Sequence, residues 1–295
     1  MPKQVLIQLD CDPQPSTFDA LVAVDAGADV LLRHGGVTPE NVVPLVHGAM
    51  FTRGGADLTS TAIFVGGTDV AAAEAVADRV RRTFFGPVRV GVMVDPSGAN
   101  TTASAAVVAA ARHVPLGVGA ASACRALVLG GTGPVGQRVA RLLAGKGAFV
   151  TIASRSIERA RQVLAAVAAR VPGARLEAIE SHGGLPPGSA LATALGTADI
   201  VVAAGAAGVT LLDAAGRGAA GSARVIIDLN AVPPAGIEGI AATDKARADG
   251  AAVLYGALGV GGTKMKIHRA AIGRLFAAND AFLDAEELLV IGENL

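Results

Sequence analysis

The sequence predicts an α/β protein of two domains, each built on a parallel sheet. Three observations predict it. Short apolar runs of strand length alternate with segments of helical periodicity along the 295 residues, the pattern of strand–helix–strand units. One such unit, residues 126–158, reads as strand, glycine turn, helix and second strand. With 52% of its residues apolar, the chain can fill two cores.

Residues 5–9 read as the first strand, ending in the rigid loop Asp10-Cys11-Asp12-Pro13-Gln14-Pro15. Ser16 or Thr17 can cap a helix that carries Phe18, Leu21, Val22 and Val24. A short strand follows at 30–32, and Thr38-Pro39-Glu40 has the form of a helix start, a cap and then proline. Residues 61–65 form a buried strand, and Gly66-Gly67-Thr68-Asp69 turns into a helix through Arg82. The next strand, 90–94, ends in Asp95-Pro96-Ser97-Gly98-Ala99-Asn100-Thr101-Thr102, from which a long apolar helix runs to about His113. These elements define a first domain over 1–115, with 117–122 a small-residue connector.

The second domain, 116–269, opens with the strand 126–129. The turn Gly130-Gly131-Thr132-Gly133-Pro134-Val135-Gly136 follows, with Gly131, Gly133 and Gly136 at GxGxxG spacing. Gly131 permits a tight turn, Gly133 lets backbone N–H groups approach a pyrophosphate, and Gly136 lets helix and strand pack closely. The helix carries Val139, Leu142 and Leu143 on one face and ends at Gly147, before a strand at 148–153. Its N-terminus supplies free donors and partial positive charge to phosphate. This is a Rossmann-type dinucleotide-binding domain, with Gly131, Thr132, Gly133, Pro134, Val135 and Gly136 as cofactor-binding residues.

The end of the second strand, Ala153-Ser154-Arg155-Ser156, carries no carboxylate, and Arg159 lies one helical turn on. A carboxylate there would hold the ribose hydroxyl of NAD; a hydroxyl with guanidinium groups suits the 2′-phosphate of NADP. NADP is therefore favoured over NAD, with Ser154, Arg155 and Arg159 as contacts. The competing account makes Ser156 a helix cap and leaves the arginines solvated. A helix through Arg170, a strand at 175–179, a Gly/Pro-rich loop at 181–188 and strands at 199–203, 224–229 and 252–255 continue the pattern. Loops at strand C-terminal ends face the ligand in such sheets, which adds Ala204 and Asn230 to the cofactor set. A helix is expected from Gly261-Gly262 to about 278, and Asp284 caps a final one; helices in 270–295 are expected to pack back on the first domain.

The formal net charge is zero, with 25 basic and 25 acidic residues and no basic block, which argues against nucleic-acid and membrane-surface partners. Two cysteines in no metal spacing, no long apolar N-terminal run and no membrane-spanning apolar stretch fit a reduced cytoplasmic setting. No serine lies in GxSxG and the five histidines have no ligand spacing, so neither hydrolase chemistry nor a metal is expected. The polar residues at loop tips of the first domain are Asp10, Asp12, Arg53 in Thr52-Arg53-Gly54-Gly55, Asp95, Asn100 and Thr101; each alone reads as a cap or turn residue. Lys264, in Gly261-Gly262-Thr263-Lys264-Met265-Lys266, is a further candidate. Two lysines at a helix start oppose the macrodipole, and a broken local rule points to function; a solvent-facing lysine is the plainer account.

The chain resembles the NADP-dependent methylene-tetrahydromethanopterin/methylene-tetrahydrofolate dehydrogenases of methylotrophic bacteria over essentially its full length. Thr52-Arg53-Gly54-Gly55, Ser60-Thr61-Ala62-Ile63-Phe64-Val65-Gly66-Gly67, Phe84-Phe85-Gly86-Pro87 and the glycine turn carry the resemblance. Asn230-Ala231 with Pro233-Pro234, Ala242-Thr243-Asp244-Lys245, Gly256-Ala257-Leu258-Gly259, the stretch from Lys264 to Ala270 and Phe282-Leu283-Asp284-Ala285-Glu286-Glu287 extend it. The resemblance implies an active site in a cleft between two α/β domains and a homo-oligomer, a trimer. It implies reversible hydride transfer from a methylene-tetrahydropterin to NADP in one-carbon, formaldehyde oxidation. The substrate would be carried on tetrahydromethanopterin or tetrahydrofolate. It implies that Lys264 orients the pterin and that Phe18 can pack on it; the loop-tip residues Asp10, Arg53, Asp95, Asn100 and Thr101 complete the expected substrate-binding set. Phe18 reads equally as a core residue of its helix. The related dehydrogenase/cyclohydrolases carry a tyrosine four residues before their lysine; Tyr255 stands nine before Lys264, so no cyclohydrolase activity is expected. The loop Cys11-Asp12-Pro13-Gln14-Pro15 and the stretch Leu31-Leu32-Arg33-His34 depart from the family pattern, which leaves the carrier open. A shikimate- or amino-acid-type NADP dehydrogenase and a non-catalytic NADPH-sensing protein are the alternatives.

Overall fold

The structure, a computed structural model, describes residues 2–117, 124–182 and 185–295. Residues 118–122 of the expected connector, and Gly183 and Gly184 of the expected loop, lie outside the described residues. The chain forms two compact units, Met1–Thr101 with Met265–Leu295, and Thr102–Lys264. The sequence reading sets its boundaries at 115/116 and 269/270; the two units divide inside two long helices instead.

The first unit opens with β1 (Val5–Asp10), α1 (Thr17–Asp25), β2 (Val30–His34) and α2 (Val42–Phe51). A 3-10 turn (Gly55–Ser60), β3 (Thr61–Gly66), α3 (Val70–Thr83), β4 (Gly91–Val94), a second 3-10 turn (Pro96–Gly98) and the start of α4 (Ala99–Ala111) follow. The Ser16 hydroxyl caps α1 by accepting from the Asp19 N–H at 3.2 Å, and the Asp69 carboxylate caps α3 through the Ala72 N–H at 3.0 Å. α2 begins at Val42 rather than at Pro39. Asn41 Oδ1 accepts from the Thr38 N–H at 2.8 Å and the Thr38 carbonyl accepts from Asn41 and Val42, so a closed turn occupies the expected helix start.

The second unit holds β5 (Arg125–Leu129), α5 (Pro134–Gly145), β6 (Phe149–Ser154), α6 (Ile157–Arg170), β7 (Arg175–Glu180) and α7 (Ala190–Thr197). It continues with β8 (Ile200–Ala203), α8 (Ala214–Ala219), β9 (Val225–Asp228), β10 (Lys245–Asp249), β11 (Ala252–Tyr255) and the start of α9 (Ala257–Leu275). The chain then returns to the first unit with β12 (Phe282–Leu283) and α10 (Ala285–Glu293).

Among the described residues the first unit has a five-stranded sheet in the order β12-β4-β3-β1-β2, parallel throughout. All six residues of β3 are buried, as a strand covered on both faces requires. One core of this unit joins Leu9, Ile63, Val65 and Val92 of the strands to Val46, Met50, Val76 and Val80 of α2 and α3. The second unit has a seven-stranded sheet in the order β10-β11-β9-β8-β5-β6-β7. Read from β7 to β11, this is the 3-2-1-4-5-6 order of the doubly wound dinucleotide fold. β10 is added at the edge, antiparallel to β11.

α9 begins at Ala257, not after Gly262. The carbonyl of Ala242 accepts from the Leu258 and Gly259 N–H groups at 2.8 and 3.2 Å, and the carbonyl of Asp244 accepts from the Gly256 N–H at 2.8 Å. A Cβ on Gly256 or Gly259 would collide with this 241–244 backbone. The Gly256-Ala257-Leu258-Gly259 and Ala242-Thr243-Asp244-Lys245 stretches are thus two halves of one backbone cap. Lys264 consequently lies in the interior of α9, where the helix macrodipole does not single it out.

Candidate functional site

In the second unit the candidate site grows from the turn after β5. The Gly131 N–H donates to Ala153 at 3.1 Å, and the Gly133 N–H to Gly130 at 3.1 Å, which closes the turn against β6. Gly130 has φ 66, and a Cβ on it would stand 2.6 Å from the Gly205 Cα. The turn therefore rests directly on the loop that follows β8, with Ala204 buried and its N–H held by Leu129 at 2.9 Å. A Cβ on Gly136 would meet the Gly130 carbonyl at 2.7 Å, so α5 packs on the turn itself. Gly133 differs. Its φ is −74, and the nearest atoms to an added Cβ are carbonyl oxygens at 3.4 and 3.5 Å.

Gly133 is the N-cap of α5 and supplies no capping side chain, with Pro134 opening the helix. The first-turn N–H groups of Val135 and Gly136 therefore face outward as donors for an anion. Beside them the Ser154 hydroxyl lies 3.3 Å from the Thr132 hydroxyl and accepts from the Ser156 N–H at 3.3 Å. Ser154 is buried, whereas Arg155 and Arg159 are exposed. Ser156 does cap α6, through the Arg159 N–H at 3.3 Å. The cap and the basic strand end therefore coexist, and the glycine turn with its uncapped helix start fits a dinucleotide.

Asn230 lies beyond the end of β9, two strands along the sheet from β5, and is turned into its own loop. Its Nδ2 donates to Pro234 and its Oδ1 accepts from Val232, each at 3.0 Å. The residue that sets this loop is Asp228, which the sequence reading missed. Its carboxylate is buried and accepts from the Asn230 and Ile237 N–H groups at 3.0 Å each. Burial pushes the carboxyl up from its ordinary 3.8, against the opposing pull of the Asn230, Ile237 and Gly236 N–H groups. An aspartate closing an apolar strand just before Asn230 was the available signal.

In the first unit Asp10 ends β1 and Asp95 directly follows β4, on either side of β3. Asp10 is fully buried and accepts from the Asp12 and Ser16 N–H groups, each at 3.0 Å. Asp12 is tied across to the next loop by the Thr68 N–H and hydroxyl at 3.0 and 2.8 Å. Asp95 accepts from the Asn100 and Thr101 N–H groups at 2.9 and 3.0 Å and from the Thr101 hydroxyl at 2.6 Å. Asn100 Nδ2 donates to Val94 at 2.6 Å and to the Asp284 carboxylate at 2.8 Å. Asp95, Asn100 and Thr101 are all wholly buried. Phe18, by contrast, is half exposed near the same strand ends, its ring 6.4 Å from that of His268, which stacks on Phe64 at 5.6 Å. Phe18 is therefore no core residue. Cys11 lies among these carboxylates, and burial with the charges of Asp10, Asp12 and Asp69 pushes its thiol up to about 11. It is protonated at neutral pH and a poor nucleophile.

Arg53 does not join this group. Its guanidinium donates to the Ser60 carbonyl at 2.5 Å, just before β3 begins. It thus sits at the opposite end of the strands, a strand length of roughly 20 Å away. Among the described residues no three His, Cys, Asp or Glu side chains gather as a metal-binding set. No described helix is long and apolar enough to cross a membrane.

Sheet order and glycine turn together define a doubly wound α/β protein whose α5 start carries no side-chain cap, joined to a second parallel-sheet unit. The family described as methylene-tetrahydromethanopterin dehydrogenase, N-terminal, matches residues 17–97. The "Bifunctional protein MdtA" of Methylorubrum extorquens is 43% identical over 295 residues, all of both chains. The NAD(P)-dependent methylenetetrahydromethanopterin dehydrogenase of the same organism is 32% identical, covering 98% of this chain and 99% of its own. The chain belongs to the methylene-tetrahydromethanopterin dehydrogenase family. Among solved structures, aspartate transcarbamoylase from Trypanosoma cruzi aligns with a TM-score of 0.53 at 13% identity, over 94% of this chain and 82% of that one. That likeness concerns the fold alone.

Proposed function

We propose that this protein transfers a hydride reversibly from the methylene carbon of methylene-tetrahydromethanopterin to NADP, giving the methenyl form. The observation that carries the cofactor half of this reading is the uncapped α5 start at Gly133 beside the exposed Arg155 and Arg159. Family membership supports the substrate half. The dinucleotide, when bound, supplies the hydride acceptor.

The reaction asks little proton chemistry of the protein. The C–H bond electrons leave the substrate with the hydride, and the carbon left behind shares its positive charge with two adjacent nitrogens. No proton departs, so no general base is needed. The protein's task is to hold donor and acceptor at reaction distance and to exclude water. In this reading the turn 130–136 anchors the pyrophosphate and Arg155 and Arg159 hold the 2′-phosphate. Lys264 orients the pterin at a polar edge away from the forming cation, since like charge there would oppose product. Asp10 and Asp95 shape the substrate loops from within.

The test is initial rates of nicotinamide reduction by purified protein, anaerobically, with methylene-tetrahydromethanopterin or methylene-tetrahydrofolate crossed with NADP or NAD. NADP reduction with the methanopterin carrier is expected. Silence in all four mixtures would overturn the reading. Light scattering on the same sample tests assembly as a homotrimer.

A further inference from the structure

We propose that Ser97 is a substrate contact, and that the buried Asp95–Asn100–Thr101 network serves to present it. This rests on the methylene-pterin dehydrogenase reading above. Ser97 has φ 55 and ψ 18, a left-handed conformation that costs a residue with a Cβ. Glycine would adopt it freely, and the next residue, Gly98, does so at φ 62. The conformation is held from several sides. The Ser97 N–H donates to the Gly67 carbonyl at 2.9 Å, and Gly98 donates to Asp95 at 3.1 Å. The Asp95 carboxylate fixes the following turn through Asn100 and Thr101.

Position and exposure say what the strain is for. Ser97 follows β4, at the strand end beside those of β3 and β1, where open parallel sheets bind ligands. The carboxylates of Asp10, Asp12 and Asp95, the Thr68 hydroxyl and the Asn100 amide at these ends are engaged within the protein. The Ser97 side chain is exposed, and its hydroxyl makes no hydrogen bond among the described residues. A hydroxyl both donates and accepts, which suits the lactam edge of a pterin ring, where an N–H lies next to a C=O. Strain retained at an exposed serine, where glycine would relieve it, points to selection for the hydroxyl.

The test compares Ser97→Gly, Ser97→Ala and Ser97→Asn with the wild type. Ser97→Gly relieves the backbone and should raise Tm by about 2–4 °C. Ser97→Ala keeps the strained geometry without the hydroxyl. Both should raise KM for methylene-tetrahydromethanopterin about tenfold, the worth of one good hydrogen bond, with NADP affinity unchanged. Asparagine tolerates the left-handed region and carries a donor and an acceptor, so Ser97→Asn should recover part of the loss. A Ser97→Gly protein with higher Tm and wild-type kcat/KM would overturn the proposal while leaving the function intact. A wild-type protein with no pterin turnover would remove the function and this contact with it.

Discussion

The Thr101 hydroxyl donates to the Asp95 carboxylate at 2.6 Å, and neither side chain has any exposed surface. A buried carboxylate that accepts two N–H groups and a hydroxyl is a fixed post around which the β4 loop is wound. Thr101→Val keeps the shape and removes the hydroxyl, leaving part of a buried charge unsatisfied. A hydrogen bond to a charged group is worth about 1.5–3 kcal/mol, so Tm should fall by roughly 3–12 °C. Thr101→Ser should restore most of it. Equal melting temperatures for Thr101→Val and wild type would show that the network carries no such load.

The glycine turn separates folding from cofactor binding. Gly130→Ala would force a left-handed backbone on alanine and drive its Cβ to 2.6 Å from the Gly205 Cα. That protein should be poorly soluble or melt far below wild type. Gly133→Ala meets nothing closer than 3.4 Å and has an ordinary φ. It should fold, with a melting temperature within about 4 °C of wild type in the absence of nucleotide, the cost of alanine at an N-cap. In the proposed reading, however, its methyl group would stand where a pyrophosphate approaches the α5 N–H groups. NADP affinity should drop at least tenfold, read by fluorescence titration of NADPH. Normal affinity in Gly133→Ala would place the phosphates elsewhere.

These contrasts also mark what the chain discloses by itself. The turn at 130–136 is legible because each glycine answers a local steric demand, and the buried strands because a parallel sheet needs unbroken apolar runs. The start of α9 is not legible. Its first N–H groups are satisfied by the carbonyls of Ala242 and Asp244, so no capping side chain announces it. β10 is hidden for a related reason: four of its five residues are exposed, and Ala246 at φ 54 breaks its register. At the candidate site, a loop position and the Thr52-Arg53-Gly54-Gly55 stretch drew Arg53 in with Asp10 and Asp95, but the order of residues does not say at which end of a strand a loop lies, and Arg53 is bound at Ser60, where β3 begins. Ser97 was invisible because nothing in a serine's neighbours reveals its φ.

The basic end of β6 predicts how the protein chooses its nucleotide. Arg155 is exposed, follows the buried Ser154 directly and has no carboxylate beside it in Ala153-Ser154-Arg155-Ser156. Arg155→Ala should weaken NADP by about 10–100-fold, the range for a charged hydrogen bond, and leave NAD nearly unchanged. The ratio of kcat/KM for the two nucleotides reads this directly. Parallel losses for both would mean that Arg155 supports the loop rather than the 2′-phosphate.

Asp228 gives a pH signature that is independent of activity. Its carboxyl is raised above 3.8 in the folded chain, burial outweighing the N–H groups of Asn230, Ile237 and Gly236. Above 3.8 the folded state therefore holds this proton more readily than the unfolded state does. Asp228 thus contributes stability that is fully present below 3.8 and is lost as pH rises through the folded value. Asp228→Asn cannot ionise and lacks this slope, although its amide cannot accept from both the Asn230 and Ile237 N–H groups and the variant should be less stable overall. Urea unfolding of both proteins at steps from pH 4 to 8 gives the difference in stability. The advantage of the wild type over Asp228→Asn should shrink from the acid end of that range toward neutrality and then level off. An advantage that grows with pH would mean that the three backbone donors outweigh burial, and that this loop is held by a carboxylate stabilised in its charged form.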